Sequence, residues 1–273
     1  MTALLRFRHG IAMDLAPFLA FAHRLADAAR GETMTRWAAG CAVEGKAGAL
    51  DFDPVTEADR AGERAMREMI EAAWPDHGIA GEEYGEKAGA GRYVWSLDPV
   101  DGTRSFICGL PSWTTLIALL DEGRPVVGII DAPALGERYA ASGAAGFLHT
   151  AGRDAPLRTS GCTALAEARL STTDPFILGD AGFDAFGRLR RAARTTRYGL
   201  DAYGYARLAA GSLDLVVEAC LKPHDYNALI PVVEAAGGVI GNWKGGADLL
   251  EGRTIAAASS ELFESAVREM ERA

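Results

Sequence analysis

The run Trp95-Ser96-Leu97-Asp98-Pro99-Val100-Asp101-Gly102-Thr103-Arg104-Ser105-Phe106 puts two carboxylates, a stiff bend and a glycine turn next to one another. Tyr93 to Leu97 reads as a buried strand that delivers Asp98 and Asp101 to its end. Paired carboxylates suit a hard cation such as Mg²⁺, which takes oxygen ligands. Pro99 removes an N–H and fixes φ, which stiffens the bend between the acids. The Val100 carbonyl, caught in that bend, can also face a metal. The Gly102-Thr103 turn offers backbone N–H groups to phosphate oxygens. Metal carboxylates beside phosphate donors imply metal-assisted phosphate chemistry.

Three further acids sit beside apolar runs. Glu82-Glu83 follows the strand-like Gly78-Ile79-Ala80 and reads either as a solvated pair opening a loop or as a carboxylate aimed at the same metal. Thr56-Glu57-Ala58-Asp59 fits a capping box with Asp59 at N3, a place equally suited to a catalytic carboxylate. Asp225 precedes the apolar-periodic helix Ala228 to Ala236. It reads as a plain N-cap, or as an acid at a helix start where a metal–phosphate complex is favoured. His224 beside it reads as structural, because the rest of the set is oxygen. His9, His23, His77 and His149 form no spaced cluster, so zinc is not expected. Haloacid-dehalogenase phosphatases use Asp-x-Asp-Gly-Thr, with the nucleophilic Asp two residues before the second acid. Here Pro99 occupies that position, which argues against an aspartyl-phosphate and for a metal-activated water.

The elements that must position these groups follow from periodicity. Leu15, Phe18, Leu19, Ala22, Leu25, Ala26 and Ala29 predict an amphipathic first helix. Gly40 to Pro54 reads as a loop or loose hairpin, and a second helix runs from Thr56 to Trp74, ended by Pro75. A strand reaches Ala80, and Gly85 to Gly91 is a polar loop. Strands at 93–97, 114–120, 126–130, 138–141 and 145–149 then suggest an antiparallel sheet layered with the first two helices. After Gly152, strands at 169–171, 195–198, 213–218, 238–241 and 255–258 alternate with helices at 181–193, 201–210, 226–236 and 261–272. That alternation predicts an α/β second half. The expected organisation is an α+β half over 1–148, carrying most of the metal ligands, and an α/β half over 149–273, carrying Asp225 and the substrate residues.

At 273 residues the chain can bury a full core, and 49% hydrophobic and 24% charged residues are those of a soluble globular protein. A net charge of −9 excludes nucleic acid as the main partner, since phosphate backbones need basic surface. Cys41, Cys108, Cys162 and Cys220 are widely spaced without a CxxC, as expected of free thiols in a reducing cytoplasm. The longest apolar runs are too short to span a bilayer. Asp14 and Pro17 interrupt the N-terminal apolar stretch, which argues against a signal peptide. Residues 1–12 read as a frayed extension.

Gly81-Glu82-Glu83, Asp98 to Thr103 and His224-Asp225 through Glu234-Ala235-Ala236-Gly237-Gly238, preceded by Val55 to Asp59, together resemble the inositol monophosphatase family of Mg²⁺-dependent, lithium-sensitive phosphatases. The likeness runs over nearly the whole chain from about residue 14. Arg104-Ser105-Phe106, Gly109-Leu110-Pro111 and Arg197 to Tyr205 are similar to the histidinol-phosphate phosphatase subgroup, whereas Leu200 and His224 depart from its usual Gly and Tyr or Phe.

The resemblance implies a layered αβαβα fold and a homodimer. It implies two or three Mg²⁺ ions on Glu82, Asp98, the Val100 carbonyl, Asp101 and Asp225. Asp59, Glu82 and Thr103 would be catalytic, orienting a water for in-line attack. Substrate contacts would come from Val100, Asp101, Gly102, Thr103, Arg104, Ser105, Arg197, Asp201, Glu218 and Asp225. Arg197 could instead brace a dimer. Asp201 and Glu218 suit the ammonium and imidazole of histidinol, so the implied reaction is hydrolysis of L-histidinol phosphate. The alternatives are inositol phosphate or small monophosphates broadly, or a metal-binding regulatory protein on the same fold.

Overall fold

The computed structural model describes residues 14–40, 43–45 and 54–271. The expectation about residues 1–12 and the middle of the Gly40–Pro54 segment lie outside them. In chain order the elements are α1 (Ala16–Ala39), β1 (Val43–Gly45), β2 (Pro54–Thr56), α2 (Glu57–Ala73), β3 (Gly78–Gly81), β4 (Gly85–Lys87), β5 (Tyr93–Asp101) and α3 (Thr103–Ile107). Then come β6 (Thr114–Asp121), β7 (Arg124–Ala132), β8 (Glu137–Ser142), β9 (Ala145–Thr150), β10 (Arg153–Pro156), β11 (Arg169–Thr172), α4 (Gly179–Ala192) and β12 (Thr195–Tyr198). The last are α5 (Ala202–Ala209), β13 (Leu215–Glu218), α6 (Pro223–Tyr226), α7 (Leu229–Ala235), β14 (Val239–Gly241), β15 (Thr254–Ala257) and α8 (Ser260–Glu271).

Burial patterns decide how these elements stack. β6 is buried on both faces, as a strand between two helical layers must be. Its Ile117 and Leu119 join Trp95 and Leu97 of β5 against Phe21, Leu25 and Ala29 of α1 and Met66 and Ile70 of α2. Its Leu116 and Ala118 point the other way, onto Ala202, Tyr205 and Ala206 of α5 and Leu229, Val232 and Val233 of α7. The same two helices cover Val216 and Ala256 of a second sheet. The opposite face of that sheet, through Leu170, Leu215, Val217 and Ile255, packs on Phe186 and Leu189 of α4 and on Leu262 and Phe263 of α8. The order α1/α2, sheet, α5/α7, sheet, α4/α8 is the expected αβαβα sandwich.

The first sheet has the order β10-β9-β8-β7-β6-β5-β3-β4. The strands from Tyr93 to Thr150 pair antiparallel throughout, as expected, and one further pairing in the sheet is parallel. β3 and β5 are parallel, from Gly78 opposite Val94 to Gly81 opposite Leu97. The cause is β4, which pairs antiparallel with β3 and turns the chain round before β5 enters. Gly85 to Lys87 is therefore strand where a loop was expected, because three polar residues carry no period to read. The parallel pairing matters for the site: it brings the end of β3, followed by Glu82, to the edge where Asp98 and Asp101 lie. The second sheet has the order β12-β11-β13-β15-β14, with β12, β11 and β13 mutually parallel.

Candidate active site

The strand carrying the paired aspartates does not stop at Leu97. β5 continues to Asp101, and its pairing with β6 slips: Asp98 faces Leu116 but Asp101 faces Thr114. Three steps along β5 match two along β6, which is a β-bulge. In a regular strand, residues three apart point to opposite faces. The extra residue turns Asp101 back to the face that Asp98 occupies. Pro99 suits the bulge because a residue squeezed out of the ladder needs no N–H to give to it. Its carbonyl accepts from Thr115 Oγ1 at 2.7 Å, and Val100 packs into the small cluster of Ala58, Phe106 and Trp113.

Asp225 joins the two from the other side. Carboxylate oxygens of Asp98, Asp101 and Asp225 all lie within 4.8 Å of one another. Asp225 is not an N-cap. Pro223 opens a separate turn, α6, which places Lys222 at the cap and Asp225 at N3, where its Oδ2 accepts from the Lys222 N–H at 2.6 Å. Asp101 Oδ2 accepts from the Ala202 N–H, at the start of α5, at 2.8 Å and from Thr114 Oγ1 at 3.3 Å. Asp98 Oδ1 accepts from the Val100 N–H at 3.0 Å.

Burial and mutual repulsion hold these acids in a costly state. Burial is the larger cause in each case. Asp98 is pushed well above the ordinary carboxylate range by burial and then by the charges of Glu82, Asp101, Asp225 and Asp59. Asp101 is pushed the same way by burial, Asp201 and Asp225, against the help of the Ala202 N–H. Asp225 is raised by burial, with His224 opposing. Hard oxygen donors crowded until they resist ionisation are the donor set that a small divalent cation relieves. The residues fit a hard divalent cation.

Glu82 stands outside the tight triplet, yet its charge is among those raising both Asp98 and Asp225. It follows β3 directly, and its N–H donates to the Leu97 carbonyl at 3.2 Å. Asp59 lies buried in the first turn of α2 and acts on Asp98 from there. A residue that sequence reasoning passed over fixes the Glu82 loop. Glu63, fully buried on α2, accepts from the Glu83 N–H at 2.7 Å and the Tyr84 N–H at 3.2 Å, and pairs with Arg67 at 2.7 Å. A Cβ on Gly81 would lie 2.0 Å from Glu63 Oε1, so only glycine fits there. Its position one helical turn after Asp59, on the same face, was the available signal.

Gly102 has φ +78° and leads into α3, whose first-turn N–H groups lack helical partners. Any side chain at Gly102 would meet Asp201 Oδ2 at 2.8 Å. Thr103 Oγ1 donates to the Val100 carbonyl at 3.1 Å. Ser105 is buried and donates to Asp201 Oδ2 at 3.2 Å, while Arg104 is exposed and its charge acts on Asp201. Arg197 is exposed on the edge strand β12 and does not line the cavity described next.

A cavity of about 180 Å³ adjoins the triplet. Asp101 and Asp225 form one wall, and Asp201, Glu218, Thr173 and Tyr205 contribute others. Glu218 is 3% exposed and is pushed up to about 8 by burial, against the Thr173 hydroxyl and N–H and the Thr172 hydroxyl. Its Oε2 is buried without a hydrogen bond of good geometry among the described residues. Thr173 was not foreseen, because a threonine after a strand carries no distinguishing pattern.

With this geometry in hand, likeness to known proteins is informative. The model of the inositol monophosphatase family matches residues 14–273. The chain is 45% identical over 213 residues to the chloroplastic bifunctional phosphatase IMPL2 of Arabidopsis thaliana, covering 77% of this chain but 60% of that protein. It is 36% identical over 217 residues to a histidinol-phosphatase of Chlorobaculum parvum, covering 78% and 81% of the two chains. Its fold matches that of an inositol monophosphatase from Zymomonas mobilis with a TM-score of 0.81 at 37% identity, over 95% and 99% of the chains.

Proposed function

We propose, from the premise that this chain belongs to the inositol monophosphatase family of phosphatases, that it hydrolyses L-histidinol phosphate to L-histidinol and phosphate with Mg²⁺. The observation that carries the reading is the pair of acids, Asp201 and Glu218, on the cavity that the metal-type triplet opens into. Two acids beside a phosphate site, whose ionised forms a bound cation favours, suit an alcohol bearing cationic groups better than a neutral polyol. The histidinol-phosphatase relative supports the same substrate.

Asp98, Asp101, Asp225, Glu82 and the Val100 carbonyl are the residues that would hold the ions. Bound Mg²⁺ would polarise the phosphate and acidify water. The rest is the work of the chain. Thr103 Oγ1 directs its proton to the Val100 carbonyl, so its lone pairs are left to accept a hydrogen bond that orients the attacking water. Asp59 and Glu82, whose charges both reach Asp98, would orient that water. The Gly102 and Thr103 N–H groups would take phosphate oxygens, with Arg104 and Ser105 as further substrate contacts, while Arg197, away from the cavity, is left to the alternative role of bracing a dimer.

A second reading, an inositol or general small-monophosphate phosphatase, is favoured by Glu218, which also suits a hydroxyl, and by the Zymomonas likeness. A regulatory protein on this fold would have no need of the assembled triplet and Thr103. Side-by-side kcat/KM for histidinol phosphate and inositol 1-phosphate with Mg²⁺ decides: preference for the inositol ester would overturn the first reading, and no phosphate release from either would favour the regulatory one.

The working form is proposed to be a cytoplasmic homodimer without nucleic-acid or membrane partners. No described helix is long and apolar enough to cross a membrane. Phe176 and Phe183, stacked at 5.3 Å and 78% and 42% exposed, are an apolar surface that a second copy would cover. Light scattering that returns a monomer mass rejects the dimer, and membrane-bound activity on fractionation rejects the compartment.

A further inference from the structure

We infer that Thr173 is a positioning residue that sets substrate selectivity by holding Asp201 and Glu218 in one arrangement. This rests on reading the cavity as the seat of the alcohol half of the substrate. β11 lies between β12 and β13, and all three are parallel, so their C-terminal ends share one edge. From β11 the chain passes outward to β12, then crosses through α5 to β13 on the other side. The loops therefore part around the end of β11, and a crevice opens there. Thr173 is the first residue after that central strand. One neighbour is the loop after β12, which bears Asp201. The other is the end of β13, which bears Glu218.

Every polar atom of Thr173 is engaged with these neighbours. Its N–H donates to Glu218 Oε1 at 2.6 Å, and its hydroxyl donates to the same oxygen at 2.9 Å. The hydroxyl oxygen accepts from the Asp201 N–H at 3.1 Å, and the carbonyl accepts from the Gly199 N–H at 2.9 Å. A hydroxyl has one proton. Given to Glu218, it leaves the lone pairs for Asp201, so one oxygen atom ties the two acids together. The tie also takes up one Glu218 oxygen: Oε1 is consumed, and Oε2 is buried without a hydrogen bond of good geometry, with the Thr172 hydroxyl acting on the same carboxyl. Asp201 sits at φ +48°, a region L-residues seldom occupy, and is held there by Thr173 through its N–H and by Ser105 through its carboxylate.

Thr173→Val keeps shape and branching but removes the hydroxyl, whereas Thr173→Ser keeps it. The test measures kcat/KM with Mg²⁺ for the wild type, T173V, T173S, E218Q and the T173V/E218Q double variant, on histidinol phosphate and glycerol phosphate. T173V should lower the ratio of the two substrates about tenfold, mostly through KM, and T173S should stay within about twofold of the wild type. The double variant should lose clearly less than the product of the two single losses, because part of the Thr173 effect runs through Glu218 and the rest through Asp201. An equal fall for both substrates, or effects that multiply in the double variant, overturns the role. If the wild type prefers inositol 1-phosphate, the histidinol assignment fails separately. The cycle is then read on that ester, where coupling supports Thr173 and independence rejects it. Should T173V lose its folding transition, T173A takes its place in the cycle.

Discussion

At the scale of single residues, the argument for Thr103 turns on where one proton goes. With its hydroxyl donating to the Val100 carbonyl, Thr103 can only accept from water. Thr103→Ala should therefore lower kcat by about 10²-fold and leave KM nearly unchanged, because water alignment matters in the transition state and hardly in substrate binding. A variant whose loss falls in KM alone would place the hydroxyl in ground-state binding. Asp201 makes a different prediction. Its charge is proposed to meet the cationic end of histidinol, an interaction of roughly 1.5–3 kcal/mol, or about 10–150-fold in kcat/KM. Asp201→Asn should weaken histidinol phosphate hydrolysis by that order relative to glycerol phosphate. Equal losses on both would remove Asp201 as the reader of that charge, since a general distortion near Gly102 lowers both rates alike.

At the scale of elements, the site is an assembly of strand ends and helix starts, and one of its joins is the loop after β3. Glu63 fastens that loop through two backbone N–H groups. Glu63→Ala leaves those donors and Arg67 without their buried partner, at a cost of about 1–3 kcal/mol. It should also raise the Mg²⁺ concentration for half-maximal activity several-fold, with kcat partly recovered at saturating Mg²⁺. A lower Tm with an unchanged Mg²⁺ dependence would make Glu63 a fold residue only. The same elements show what can be read from a sequence. Asp98 and Asp101 were legible because paired acids at a strand end have few structural uses at such spacing, and Asp225 only through the family resemblance. The αβαβα layering was legible through the family resemblance, and the strands and helices after Gly152 through their alternating periods. The bulge was not, because register is a property of two strands and only β6 reveals it. Nor was the parallel β3–β5 pairing, which depends on a three-residue strand too short for any period. Glu63 and Thr173 were missed for a related reason: each works by holding another residue, and its partner lies far along the chain.

At the scale of the whole molecule, the buried acids make stability depend on pH and on metal together. Asp98, Asp101, Asp201, Asp225 and Glu218 all have folded values raised above the ordinary range, Glu218 from 4.5 to about 8. A raised acid binds a proton in the folded state that the unfolded chain has already released. Its contribution to stability is thus complete below the unfolded value, near pH 4.5, and is lost as pH climbs through the folded one. The metal-free protein should therefore lose thermal stability between about pH 5 and pH 8. Each tenfold difference in proton affinity is about 1.4 kcal/mol, so the combined fall in Tm should be at least about 5 °C. The proposed Mg²⁺ would bind the ionised carboxylates that cause the loss, and protons would compete with it for them. The rise in Tm on adding Mg²⁺ should consequently be larger at pH 8 than at pH 5. Asp98→Asn removes one of the repelling charges. Without metal at pH 8 it should melt about 2–4 °C above the wild type, and its response to Mg²⁺ should largely vanish, trading function for stability. Melting curves across this pH range, with Mg²⁺ and with a chelator, test all three statements. A metal-free Tm that stays flat or rises with pH, or an Asp98→Asn protein less stable than the wild type with its Mg²⁺ response intact, would show that these acids are not held together against their own repulsion for the sake of a cation.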